Sequence, residues 1–191
     1  LNMGLLTSSP SVRRRFLDDI LNQTDRSYKK ALRDYTKARR QKNRVLEIVR
    51  ETGKGEMQLD YWNEKMFQLG SEIQEKRKHL IEYFGQNLND KVETMNSNLI
   101  ADVEYSISPI SKERLEVYKK KEVAAGTSLI GPHRDDFLLI YNNMNVGNYA
   151  SRGEQRTLIL GLKICEFNYI EKSVGESPIL LLDDIFSELD E

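Results

Sequence analysis

From Leu17 onward, residues at alternating steps of four and three form one seam: Leu17, Leu21, Thr24, Tyr28, Ala31, Tyr35, Ala38, Lys42, Val45 and Val49, interrupted only at Thr24 and Lys42. This is a heptad repeat over about four heptads, and it predicts a long amphipathic helix. Ser9 is placed to cap that helix, with Pro10 in its first turn, where a missing N–H costs nothing. The two glycines of ETGKGE, Glu51 to Glu56, end it. A second seam runs through Leu59, Trp62, Met66, Leu69, Ile73, Lys76, Leu80 and Tyr83, shifts phase near Asn87, and resumes at Leu88, Val92, Met95 and Leu99. A turn this short forces the two helices antiparallel. The pattern therefore predicts a helical hairpin arm over residues 10–100, with limbs of about 30 to 40 residues reaching roughly 45 to 60 Å.

Beyond Leu99 the period changes. DVEYSI and DFLLIY read as short strands separated by a charged helix from Ser111 to about Glu122. NNMNVGNYAS reads as a turn and a short strand leading to a helix that starts at Ser151 and stops at Gly175 and Pro178. ILLL, residues 179–182, is an unbroken aliphatic run suited to a strand buried on both faces. A boundary near residue 100 separates the arm from a second region, 101–191.

Composition narrows the class. With 39% hydrophobic and 31% charged residues over 191 positions, the chain can bury a core. It has no apolar run near the ~20 residues a membrane span needs, so no membrane role and a cytoplasmic location are expected. Cys165 is the single cysteine, which excludes an internal disulfide, and its apolar neighbours predict a buried thiol. The net charge of -1 hides an asymmetry. Between Arg13 and Arg44 twelve bases face four acids, whereas Ser151 to Glu191 holds four bases and nine acids. A basic limb suits a polyanion such as DNA, and Arg39, Arg40 and Lys42 are the candidate contacts; a solvated helical face is the plain alternative.

The chemistry concentrates at the end of the chain. In ILLLDD a buried strand would deliver Asp183 to its carboxyl end, where a carboxylate holds Mg²⁺, and Asp184 would orient or deprotonate an attacking water. Upstream, Ser151, Arg152, Gly153, Glu154 and Gln155 open a helix, combining a hydroxyl, a glycine and free N–H groups into an anion site. This resembles the signature motif of ABC-type ATPases in the S-x-G-[EQ] variant. Ser187, Glu188, Leu189 and Asp190 stand where such ATPases carry the D-loop.

SLIGPHRDDFLL, Ser128 to Leu139, narrows the resemblance further, together with RRRFLDDIL and YTKARRQKNRVL. Over residues 8–191 the chain resembles the RecF family of bacterial DNA replication and repair proteins, with Lys42–Asn43 where that family usually has Arg-Asn. The resemblance implies an α/β fold, a lobe of an ABC-type ATPase head with an inserted antiparallel coiled-coil hairpin arm. It also implies ATP and Mg²⁺ as ligands and an ATP-dependent homodimer in which one protomer's Ser151 and Gly153 cap the other's nucleotide. The implied partners are double-stranded or gapped DNA and RecR with RecO. Within the arm-to-head segment, His133 is expected to make structural hydrogen bonds.

The 191 residues contain no G-x-x-x-x-G-K-[ST]: Gly53–Lys54 is the lone Gly-Lys pair, and no glycine stands five positions before Gly53. The family carries its P-loop ahead of the arm, so the chain is expected to be an internal to C-terminal fragment. Residues 1–9 would be a linker from the missing ATPase segment, and the chain alone is expected to lack ATPase activity. Another SMC-like repair ATPase, of Rad50 or RecN type, and a non-catalytic coiled-coil interaction module remain open.

Overall fold

The computed structural model describes Leu5, residues 9–142 and residues 144–179. The chain divides into two compact units: residues 1–24, 79–106 and 136–191 form the first, and residues 25–78 and 107–135 the second.

In the first unit, helix α1 (Pro10–Thr24) starts at the expected serine-proline step and buries Leu17, Ile20 and Leu21. Its Phe16 ring lies 6.1 Å from Phe84 and 6.1 Å from Phe137. Strands β1 (Ala101–Ser106) and β2 (Asp136–Tyr141) pair antiparallel from Ala101 opposite Tyr141 to Ser106 opposite Asp136. β3 (Met144–Asn145) adds a short antiparallel partner to β2. The described strands thus form a three-stranded antiparallel sheet, and the run expected to give a buried central strand lies mainly beyond residue 179, outside the described residues.

The second unit begins where the first seam was read as continuous. Asp25 interrupts it: its backbone is extended and its carboxylate accepts the amide of Tyr28, so a new helix starts at Arg26. Thr24 was therefore not a tolerated defect in one helix but the end of α1. Helix α2 (Arg26–Thr52) buries Tyr28, Ala31, Tyr35, Ala38, Lys42, Val45, Leu46 and Val49, and ends where Gly53 takes φ 67°. Helix α3 (Glu56–Glu93) follows at once. The two run antiparallel. Tyr28 Oη meets Arg77 Nε at 3.0 Å near one end, while Val45, Leu46, Val49 and Leu59 share a cluster near the other.

Helix α4 (Lys112–Ala125) belongs to this unit. Its Val123 packs on the Val45–Leu59 cluster, its Lys119 lies 3.3 Å from Asp60, and its Glu122 meets Lys42 inside the core. The pair of long helices is therefore part of a three-helix packing, in which the charged seam position Lys42 finds its charged partner on the third helix.

Helix α3 carries residues of both units, and its burial pattern changes phase between them. Leu59, Met66 and Ile73 keep a seven-residue step, whereas Leu80, Phe84, Leu88 and Val92 step by four. After α5 (Val146–Tyr149), helix α6 (Arg152–Val174) completes the first unit and buries Leu158, Ile159, Leu162, Cys165 and Ile170. It crosses α3 closely: a Cβ on Gly161 would lie 2.7 Å from Val92 Cγ2. Burial pushes the Cys165 thiol up to about 11, which leaves it an inert core group. No helix among the described residues is long and apolar enough to cross a membrane.

Candidate functional site

The start of α6 is built as the sequence predicts. Ser151 is its N-cap: the hydroxyl accepts the Glu154 amide at 3.3 Å, and the Glu154 carboxylate accepts the Ser151 amide at 2.7 Å. That reciprocal capping box fixes the backbone between them. The Tyr141 hydroxyl donates to Glu154 Oε1 at 2.5 Å, so β2 orients the box from outside the helix. Together, first the Tyr141 hydroxyl and then the Ser151 groups hold the Glu154 carboxyl below its usual range. Gln155 donates its side-chain amide to the carbonyl of Ala150 at 2.9 Å.

What this leaves open is the outer surface. Ser151, Arg152 and Gly153 are exposed, and a Cβ on Gly153 would meet nothing within 4 Å. The first intrahelical bond is Gln155 N–H to Ser151 O, so the amides of Arg152 and Gly153 precede it and point out of the helix end. This surface fits an anionic group. Asp183, Asp184, Ser187, Glu188, Leu189 and Asp190 lie outside the described residues.

Most of the GPHRDD stretch is held by bonds inside its own unit. Gly131 has φ 114°, and a Cβ there would fall 2.6 Å from the Tyr35 hydroxyl, so only glycine fits. Tyr35 Oη and His133 Nδ1 are 2.8 Å apart, and His133 Nε2 lies 3.1 Å from the Ser128 carbonyl. Both ring nitrogens are thus engaged. Asp135 is fully buried and accepts from Gln74 Nε2 at 2.9 Å and from the Ser108 amide at 2.8 Å, with Arg77 Nη1 at 3.4 Å. Arg77, itself buried, also donates to the Pro132 carbonyl at 2.7 Å. Among the described residues no group of His, Cys, Asp and Glu is arranged to hold a metal ion.

Of the three basic residues singled out in the arm, Lys42 requires correction. Its side chain is 1% exposed and its Nζ lies 2.6 Å from Glu122 Oε2. Burial pushes its ammonium pKa down, and Glu122 acts in the opposite direction. It cannot reach a phosphate. Arg40 is exposed and Arg39 partly so. Sequence reasoning also missed Tyr141, whose role depends on a strand neighbour thirteen residues before Glu154.

No family model matches the chain. Two proteins named DNA replication and repair protein RecF do: that of an Exiguobacterium species is 35% identical across 100% of this chain and 55% of its own length, and that of Chlorobium phaeobacteroides is 32% identical across 100% and 56%. The chain is a homologue of RecF. A structure of the recombination mediator protein RecF-ATPrS in the RecFOR pathway superposes with a TM-score of 0.91 at 30% identity, over 98% of this chain and 54% of that one. A RecF-ATP structure gives 0.90 at 31% identity. The chain spans about half the length of the curated RecF relatives it matches. The capping box of α6, the GPHRDD core and the buried Lys42–Glu122 pair of this chain thus sit in a fold that superposes on those of RecF structures.

Proposed function

We propose that this chain is part of a RecF-like DNA repair ATPase: a lobe of an ABC-type head carrying an antiparallel coiled-coil arm. The observation that supports the reading is the exposed start of α6, fixed by the Ser151–Glu154 capping box, where the Arg152 and Gly153 amides precede the first intrahelical bond and a Cβ on Gly153 would meet nothing within 4 Å. In an ATP-dependent homodimer Ser151 and Gly153 would face the partner protomer's ATP phosphates, with Arg152, Glu154 and Gln155 supporting them. Asp183 would hold Mg²⁺, whose charge supports phosphoryl transfer, and Asp184 would orient the attacking water. The stretch Ser187 to Asp190 would cross the dimer interface as a D-loop. The arm would bind double-stranded or gapped DNA through exposed bases including Arg40 and Arg39, and the assembly would work in the cytoplasm with RecR and RecO to load a recombinase.

The test is Ser151→Arg in the longer protein that carries these residues. A bulky cation at the helix start fills the space meant for the partner's phosphate. ATP-driven dimerisation, followed by light scattering, should be lost while nucleotide binding by the monomer is kept. Dimerisation at unchanged protein concentration would reduce Ser151 to a helix cap.

A further inference from the structure

On α2 the exposed bases have a period of their own. Arg26, Lys30, Arg33, Lys37, Arg40 and Arg44 recur at steps of four and three, offset by two positions from the buried seam of Tyr28, Tyr35, Lys42 and Val49. At 100° per residue that offset puts them on the face opposite the core, in a single file rising roughly 27 Å. Between Arg26 and Arg44 the sole acid is Asp34, and it is engaged by Arg33 Nε at 3.0 Å. The side chains of Arg26, Lys30, Lys37, Arg40 and Arg44 make no hydrogen bond or ion pair among the described residues, and the Asp34 charge is felt by Lys37 and Lys30 only at longer range.

Beside this file lies a groove of about 310 Å³ between α2 and α3, lined by Asp34, Lys37, Tyr61, Trp62, Lys65 and Gln68, among others. Trp62 is fixed from below by the Val45–Leu59 cluster. Tyr61 stands edge-on to it, with ring centroids 5.0 Å apart, and remains 56% exposed. The groove therefore presents an anchored aromatic pair flanked by one cation from each helix, Lys37 and Lys65.

We propose that this face binds a single strand of nucleic acid, with its phosphates along the Arg26–Arg44 file and an unpaired base stacked on Tyr61 in the groove. A row of cations one residue wide matches one phosphate backbone, and an exposed aromatic beside it takes the face of any base without reading its edge. A lipid surface does not fit, because the apolar side of α2 is consumed by its own core and offers no face for insertion. The proposal rests on the DNA-binding part of the reading above and adds to it a site for an unpaired base.

Trp62 is the only tryptophan, so its emission reports on the groove directly. Titration of the chain with oligothymidylate should quench Trp62. Tyr61→Ala should weaken oligothymidylate binding by about 5- to 100-fold and leave duplex binding within twofold, whereas Tyr61→Phe should bind like the parent. Replacing Arg26, Lys30 and Arg40 together by Gln should weaken both ligands and flatten the log–log salt slope by roughly 1 to 3. Matching thermal unfolding of the variants would establish that they fold. If Tyr61→Ala leaves single-strand affinity unchanged while the triple Gln variant weakens duplex binding, the base site is wrong and the DNA reading survives. If neither nucleic acid binds, or polyglutamate binds and quenches equally well, the proposal is overturned.

Discussion

Arg13 and Asp136 form a forked ion pair across 123 positions of the chain, with Nε at 2.7 Å from Oδ1 and Nη2 at 2.6 Å from Oδ2. The side chains are only 12% and 20% exposed, so the pair ties the first turn of α1 to the first residue of β2. Arg13 is therefore a tether and not a free phosphate contact. Arg13→Gln should lower the stability of the chain by about 1.5 to 3 kcal/mol, the cost typical of losing a charge-assisted bond. Arg13→Lys should recover little of it, since an ammonium cannot reproduce the fork. Urea denaturation of the three proteins measures both effects.

Lys42 and Glu122 make a buried pair in which each charge needs the other. Lys42→Met should cost about 3 to 5 kcal/mol by leaving a buried carboxylate alone. Adding Glu122→Leu should return part of that loss. The return stays incomplete because Glu122 Oε1 also accepts the Leu129 amide at 2.8 Å, which the leucine orphans. A double-mutant cycle in denaturant isolates the coupling.

The acid limb of stability should pass through Asp25. Burial acts to raise its carboxyl pKa, but hydrogen bonds from Lys76, the Tyr28 amide and Ser27 outweigh it and hold it at about 2, against an ordinary 3.8. A depressed folded pKa means stability fully present above the unfolded value and lost as pH falls through the folded one. The loss should therefore run from about pH 4 to pH 2. Asp25→Asn keeps the cap acceptor and removes the charge, so its stability should be lower by on the order of 1 kcal/mol at neutral pH, after allowance for solvent screening. Its decline across that window should be shallower. Thermal melts at stepped pH values would show the two curves converging near pH 2.

The 191-residue chain should neither hold ATP with micromolar affinity nor hydrolyse it, because these residues include no P-loop to supply the principal phosphate contacts. Calorimetric titration checks the first statement and a phosphate-release assay the second.

How far the fold could be read ahead of the structure depended on whether an interaction was local. The capping box at Ser151 and Glu154, the stop at Gly53 and the strand DFLLIY are settled within a few residues, and each was legible. The end of α1 was not. Thr24 and Lys42 were equal interruptions in the seam, yet one marks a helix terminus and the other a core position. What separates them is Asp25 capping Tyr28 in the first case and Glu122, eighty residues away, in the second. Phe84 was passed over in favour of Tyr83 because the heptad count was carried past the point where α3 changes its packing partners; Phe84 is fully buried. The basic file on α2 could have been found by counting the charged positions with the periodicity applied to the apolar ones.

Two glycines on α6 offer an internal standard for a saturation-mutagenesis experiment. At Gly161 an added methyl collides with Val92, so every substitution there is rejected by packing alone. At Gly153 the same methyl enters open space, and folding imposes no such veto. A selection for protein abundance should thus deplete variants at 161 and spare those at 153. Were a selection for genome maintenance to deplete both, the difference between the two readouts at position 153 would be the selective weight of whatever that open surface does beyond folding.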